Sequence, residues 1–264
     1  MNSLQKEMLN TLKDLRDHHG VLAIKAEFEA EGSRTDELVM LNELVFRADM
    51  KLYIKIGGCE AVRDLDQCRL LGASGIMAPM VETPFAMHKF VCAAKTVYKN
   101  EMDTIEWIIN AETKTCRQNF DEILSTGKDF LKTISIGRVD LSGSMGLTRS
   151  SINSEEVFEA AVDLAARSRN AGMTVNFGGG ISFEAIPFIL KFAPYADRFE
   201  TRKVVFRIKD NEKELRAAIL TAMKFEIMYL QNKCNFYDRM ANEDKARVIM
   251  LQERYEKANA EMGK

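Results

Sequence analysis

A chain of 264 residues, 46% hydrophobic and 29% charged with a formal net charge of −2, has the make-up of a globular protein long enough for one (β/α)₈ barrel and short for two full domains. So small a charge leaves no field to attract nucleic acid or an acidic lipid surface, and no apolar run approaches the roughly eighteen residues needed to span a bilayer. The five cysteines, Cys59, Cys68, Cys92, Cys116 and Cys234, show no paired metal spacing and no apolar leader precedes them, which points to a reduced, cytoplasmic setting.

Leu4 to Asp17 reads as a charged amphipathic helix ending in His18-His19-Gly20. Adjacent histidines on a helix point apart, so these read as solvated partners of the C-terminal dipole rather than as a metal pair. Val21 to Phe28 is the first strand and runs into the alternating acids Glu27, Glu29 and Glu31, before a helix from Thr35 to Phe46. Lys51 to Gly57 is the next strand, with Lys55 between Ile54 and Ile56, and a helix from Ala61 to about Leu71 follows. Gly75 to Met80 is a short buried strand closing in Pro79-Met80-Val81-Glu82-Thr83-Pro84. Pro84 suits the first position of a helix from about Phe85 to Tyr98. Glu82, just past the strand end, reads either as a site residue orienting a bound water or as a helix-start acid stabilised by the dipole.

Two further strands each deliver one carboxylate. Thr104 to Thr113 is β-branched and apolar and ends at Glu112, ahead of a helix-patterned segment from Cys116 to Leu124. Thr133 to Gly137 is again a β-rich run, followed by Asp140 and a Gly/Ser-rich loop through Gly146. Lone carboxylates at the C-terminal ends of neighbouring parallel strands converge on one spot, and hard oxygen ligands there suit Mg²⁺ or Mn²⁺, with substrate oxygens in the remaining positions.

Asn153 or Ser154 caps a helix that stops at Gly172, and the strand Thr174 to Phe177 ends in Gly178-Gly179-Gly180-Ile181-Ser182. That run reads either as a loop whose backbone N–H groups approach an anion or as a tight turn. Asp197 to Arg207 reads as the final strand, giving seven in all, with the missing first stave expected before Val21 or the first stave irregular. From Asn211 the chain turns helical, and Leu215, Ile219, Ala222, Met223, Ile227 and Leu230 form a stripe fit to close the barrel. Residues 238–262 are too polar for a core helix and read as a helix laid across a neighbouring subunit or as a solvated tail. The division expected is a barrel over residues 1–210 and C-terminal helices over 211–264.

Glu112-Thr113, the helix ending Asn119-Phe120-Asp121-Glu122-Ile123-Leu124, and Ile136-Gly137-Arg138-Val139-Asp140-Leu141-Ser142-Gly143-Ser144-Met145-Gly146 together resemble the HpcH/HpaI family of 2-oxo-acid aldolases and citrate lyase beta subunits. That family's hallmark is a strand-end Glu-Thr and a later Gly-Pro-x-Asp-Leu-Ser-x-x-Met-Gly. The likeness extends upstream through Lys55, Ala78-Pro79-Met80-Val81-Glu82 and, more loosely, Ala26-Glu27. It implies a TIM-type barrel and a divalent-metal-dependent carbon–carbon lyase or aldolase acting on a 2-oxo acid through a stabilised enolate, with CoA-ester lyase chemistry as a variant. It also implies a homo-oligomer that exchanges a C-terminal helix.

The site residues so implied are Glu112 and Asp140 as ligands of Mg²⁺ or Mn²⁺, and Glu27, Lys55 and Arg138 in catalysis, with Glu27 orienting a proton-carrying water. Lys55, Gly137, Arg138 and Glu82 are expected around the substrate. Three departures accompany the resemblance. Phe28 stands where the family has a proton-transferring His, Lys55 where it has an Arg that faces the substrate oxygens, and Arg138 where the loop has Pro. Lys55 is expected to act electrostatically, with imine formation as the alternative, and Arg138 to supply a guanidinium near the same oxygens. Loss of both the His and the Arg also admits a barrel that keeps the pocket but serves as a non-catalytic binding or scaffolding subunit.

Overall fold

Alternation along each strand decides which residues face the barrel axis and which face the helices. In the computed structural model, which describes residues 1–262 with side chains as far as residue 257, the strands are β1 (Val21–Glu27), β2 (Lys51–Lys55), β3 (Gly75–Ala78), β4 (Glu106–Ala111), β5 (Thr133–Gly137), β6 (Thr174–Gly178), β7 (Arg198–Glu200) and β8 (Val204–Arg207). They close a barrel in sequence order. Outward-facing residues such as Ile24, Ile54, Ile76, Trp107, Ile134 and Phe177 belong to the main apolar core under the helices. The helices are α1 (Ser3–His18), α2 (Thr35–Arg47), α3 (Val62–Leu70), α4 (Pro84–Tyr98), α5 (Lys114–Gln118), α6 (Phe120–Gly127), α7 (Arg138–Ser144), α8 (Glu155–Asn170), α9 (Ile186–Phe192) and α10 (Glu212–Met262).

The barrel interior is layered. Ala23, Tyr53, Met77, Ile108 and Val205 form a small apolar plug near the strand starts. Gly75 is required there, because a Cβ would lie 2.6 Å from the Tyr53 ring. Below the plug Glu106 accepts from Tyr53 Oη and from Arg198 Nη1 at 2.6 Å. Above the plug the inward positions turn polar.

The irregular stave is the last one rather than the first. Residues 197–207 do not form one strand: β7 pairs parallel with β6, and β8 turns back to pair antiparallel with both β7 and β1. Thr201 makes the turn, its N–H donating to Val204 O at 2.9 Å and its Oγ1 accepting from Val204 N. Phe199 and Phe206 stack across it with centroids 4.8 Å apart. The eighth strand therefore stands after β7, and none is needed before Val21.

Because β8 descends, α10 starts near the strand starts and climbs beside α1 as one continuous 51-residue helix, not as several helices; the final two residues of the segment expected over 211–264 lie outside the described residues. Its buried face is Leu215, Ala218, Ile219, Ala222, Phe225 and Tyr229, whereas Met223, Ile227 and Leu230 are exposed. Lys233 pairs with Glu37 of α2 at 2.8 Å, and beyond that point residues 241–257 are exposed throughout. At the other end Asn2 and Gln5 form a capping box on α1, and His18 and His19 end that helix at its solvent-facing C-terminus. Among the described residues no helix is long and apolar enough to cross a membrane.

Candidate active site

Seven parallel strands send their C-terminal ends to one mouth, where the inward alternation of β1, β2, β4, β5, β6 and β7 places polar side chains around a cavity of ≈ 430 Å³. Glu27, Lys55, Glu112, Gly137 and Asp140 all border it, as do residues that single-residue reading passed over: Lys25, Asn110, Ser135, Glu200, Arg149 and Arg202.

Glu112 is the most enclosed acid of the group, 2% exposed. Its Oε1 accepts from Met80 N at 3.1 Å and its Oε2 from Asn110 Nδ2 at 2.9 Å, with Lys55 Nζ 3.8 Å from Oε2. Burial pushes its pKa above the usual glutamate value, against the opposing pull of Lys55 and the two hydrogen bonds. Met80 reaches it from a left-handed backbone with φ 51°, an uncommon conformation for a residue with a Cβ. Gly137 is fixed by the same carboxylate, since a Cβ there would stand 2.7 Å from Glu112 Oε2.

Lys55 lies between Glu29 Oε2 at 2.8 Å and Glu112. Burial works to lower its pKa, but the two carboxylates outweigh burial and raise it. The ammonium is thus a fixed cation, which favours the electrostatic role over imine formation, for which a free amine is needed. Lys25 repeats the arrangement one layer down, 2.6 Å from Glu200 Oε1 and 3.2 Å from Glu27 Oε1. Asn176 Nδ2 binds Glu200 Oε2 at 2.6 Å and Ser135 Oγ at 2.9 Å. Burial works to raise the Glu27 pKa, and Lys25, Lys55 and Arg202 outweigh it and bring it below the usual value. Glu27 is therefore held as a carboxylate in the cavity lining.

Two expected site residues do not reach the cavity. Arg138 follows inward-facing Gly137, so alternation sends it outward, and it is fully buried. Its Nε donates to Gly178 O at 3.2 Å, Nη2 to Gly179 O at 2.6 Å and Nη1 to Asn153 Oδ1 at 2.7 Å, with the guanidinium 4.3 Å over the Phe188 ring. It ties the loop after β5 to the loop after β6 and is not among the residues that line the cavity. Glu82 accepts from Thr113 Oγ1 at 2.7 Å, and Asn119, where the expected helix over 116–124 breaks into α5 and α6, donates to Glu82 O at 2.8 Å. Thr83, not Glu82, caps α4.

The loop expected after Gly137 is also helical. It forms α7, which places Asp140 in its first turn at the cavity edge. Phe28 N donates to Lys55 O at 2.8 Å and Phe28 packs against the core. His88 lies on α4 beside Phe85 and Cys92, and among the described residues no histidine lines the cavity.

The donor chemistry fits a hard divalent cation. Glu112 and Asp140 offer carboxylate oxygens to one cavity, and beside them Asn110 Oδ1 is a buried oxygen with no hydrogen-bond partner. Among the described residues no three His, Cys, Asp or Glu side chains form a cage for a metal. The protein would thus supply few ligands and leave positions for water and substrate, the usual mode of Mg²⁺.

A closed α/β barrel carrying a charged, water-accessible cavity at the C-terminal strand ends is the architecture of a barrel enzyme. Residues 19–178 match the model of the HpcH/HpaI aldolase/citrate lyase family; this is more than half of the chain, and the chain belongs to that family. Among solved structures it is similar to the HpcH/HpaI aldolase from Desulfitobacterium hafniense DCB-2, at 15% identity and TM-score 0.56 over 70% of this chain and 87% of that one. It is likewise similar to an HpcH/HpaI aldolase/citrate lyase family protein from Burkholderia cenocepacia J2315, at 15% identity and TM-score 0.57 over 82% and 99%. At such identity these two likenesses concern the fold. No curated protein matches the chain in sequence.

Proposed function

We propose that the protein is a divalent-metal-dependent carbon–carbon lyase or aldolase acting on a small 2-oxo acid of the pyruvate or oxaloacetate kind. The observation that carries this reading is the convergence of buried Glu112 and cavity-edge Asp140 on one pocket beside the fixed ammonium of Lys55. Mg²⁺ or Mn²⁺ held by Glu112 and Asp140 would polarise the keto oxygen. Lys55 places positive charge next to the same oxygens, where negative charge develops as the α-carbon loses its proton or its carbon partner. Met80 N–H and Asn110 hold Glu112 in one orientation, and Gly137 leaves room for it. Glu27, held as a carboxylate and anchored by Lys25, would order the water that carries the proton in place of the absent imidazole.

The pair of carboxylates is tested by calorimetric titration with Mn²⁺. Wild type is expected to bind one ion per chain, and Asp140→Asn to weaken binding by about tenfold or more, the loss of roughly 1.4 kcal/mol or more from a charged ligand. Equal affinity in the two proteins would remove Asp140 from the site.

We further propose that the chain pairs with a second copy of itself through α10. Leu220, Met223, Ile227 and Leu230 are exposed at spacings of three and four, and Val248, Leu251 and Tyr255 continue the same phase on the part clear of the barrel. That repeat is the seam of a coiled coil, self-complementary when two equal helices meet. Deleting the residues after Phe236 is expected to yield a smaller particle in analytical ultracentrifugation; an unchanged number of subunits would make the segment a solvated tail.

A further inference from the structure

We propose that the Gly178–Gly180 loop forms an anion nest for a phosphate monoester, shaped from behind by Arg138, so that the second substrate of the lyase or aldolase reaction carries a phosphate. The word substrate rests on the function proposed above; the nest itself does not.

Gly179 and Gly180 have φ of +86° and +62°, a conformation glycine adopts without strain. Both positions are also crowded: a Cβ on Gly179 would lie 2.8 Å from Val139 N, and one on Gly180 2.2 Å from Ile152 Cδ1. Arg138 takes the carbonyls of Gly178 and Gly179. A trans peptide points its N–H opposite to its C=O, and no peptide here is cis. The N–H groups of Gly179 and Gly180 are therefore turned away from Arg138, on the side of the cavity that both residues line. Neither finds an acceptor among the described residues. Successive backbone N–H groups in a turn make a concavity that binds anions.

Side-chain charge points the same way. Lys25 and Lys55 are each held between two carboxylates. Arg202, in the β7–β8 turn, is half exposed; its one ion pair is with Glu31 at 3.9 Å, and its charge also acts on Glu27 and Glu226. Arg149, on the segment that packs Ile152 against Gly180, makes no ion pair among the described residues. Both arginines line the cavity. Two N–H donors with the Arg149 guanidinium, and the half-exposed Arg202 whose single ion pair is long, suit a phosphate, with its three oxygens and charge of about −1.5 to −2, better than a single carboxylate. The carboxylates Glu112 and Asp140 suit a cation and a 2-oxo acid, and the loops after β6 and β7 supply the anion-binding groups, Arg202 there being shared with Glu31, Glu27 and Glu226.

The test uses nitrogen-15-labelled full-length protein, titrated at constant ionic strength with inorganic phosphate, with glycerol 3-phosphate and with glycerol. The amide protons of Gly179 and Gly180 are expected to move downfield and saturate with the two phosphates and not with glycerol. The ester should saturate at about tenfold lower concentration than the free ion, and Arg202→Gln should raise its dissociation constant about tenfold, the worth of one charge-assisted hydrogen bond. Arg138→Met should abolish the glycine response; where that variant does not fold, Arg202→Gln and the wild-type titration decide.

Unmoved glycine amides would overturn the nest, and equal affinity for phosphate and ester would overturn the assignment to a substrate group. Pyruvate proton exchange on the same preparation separates the two readings. Glycine shifts without exchange contradict the lyase or aldolase alone, and exchange with silent glycines contradicts the nest alone.

Discussion

Glu112→Gln is expected to lower Mn²⁺-dependent exchange of the pyruvate methyl protons by about 10²- to 10³-fold, the several kcal/mol that a metal and its charge supply to a developing enolate. The substitution is close to isosteric and its hydrogen bonds survive. Met80 N–H keeps an oxygen acceptor, and Asn110, whose Oδ1 has no partner in the wild type, turns its amide over to accept from the new Nε2. Loss of activity with an unchanged unfolding curve would therefore report the missing charge, and wild-type rates would remove Glu112 from the mechanism.

The acid limb of the pH profile offers a second reading of the same variant. The raised pKa of Glu112 means that the folded protein takes up this proton at higher pH than an unfolded chain does. As pH falls, metal binding weakens earlier than an ordinary glutamate would dictate. This group's contribution to stability runs the other way, rising as pH drops through its folded value. Both dependences vanish in Glu112→Gln.

Lys25→Met is expected to destabilise the fold by about 3–5 kcal/mol, the range for removing one member of a buried ion pair. Lys25 is 6% exposed and Glu200 5%, so the substitution strands one buried carboxylate and leaves Glu27 without its anchor. Burial works to lower the Lys25 pKa, but the charges of Glu200 and Glu27 outweigh it and raise the value. The stabilisation is thus complete at neutral pH and is lost only as pH rises through that raised value. In urea unfolding followed by circular dichroism, the double variant Lys25→Met/Glu200→Gln should recover part of the loss, because the stranded charge is gone. A Lys25→Met loss below about 1 kcal/mol would mean that the cluster is hydrated and of little structural weight.

Much of the barrel was legible because parity along a strand is local. Glu112 and Gly137 were readable as inward strand-end positions from the apolar residues between them, and the same alternation places Asn110 with Glu112 and Lys25 with Glu27. Arg138 was misread for want of that rule, since the residue after an inward Gly137 faces out; likeness to a proline-containing loop gave no direction. The β7–β8 turn also left a trace, because the residues packed in the core under the helices switch from odd at Phe199 to even at Val204 and Phe206, with Val205 in the barrel plug.

Contacts between distant residues were not legible in the same way. Lys25 and Glu200 are 175 positions apart, and only barrel closure brings β1 and β7 to one layer. On α10 two adjacent faces are apolar, one containing Leu215, Ile219 and Ala222 and the other Met223, Ile227 and Leu230. Hydrophobicity alone does not choose between them; the descent of β8 and the position of α1 do.

In the proposed function this cavity enolises a 2-oxo acid with a divalent ion at Glu112 and Asp140. The most direct test is proton NMR of pyruvate in D₂O with the wild-type protein and Mn²⁺, the metal being removed by chelation before the spectrum is recorded. Loss of the methyl signal is expected at a rate proportional to protein and abolished by chelator at the outset. A methyl signal that persists at the protein-free rate would contradict that function and favour a barrel that keeps the pocket without the chemistry.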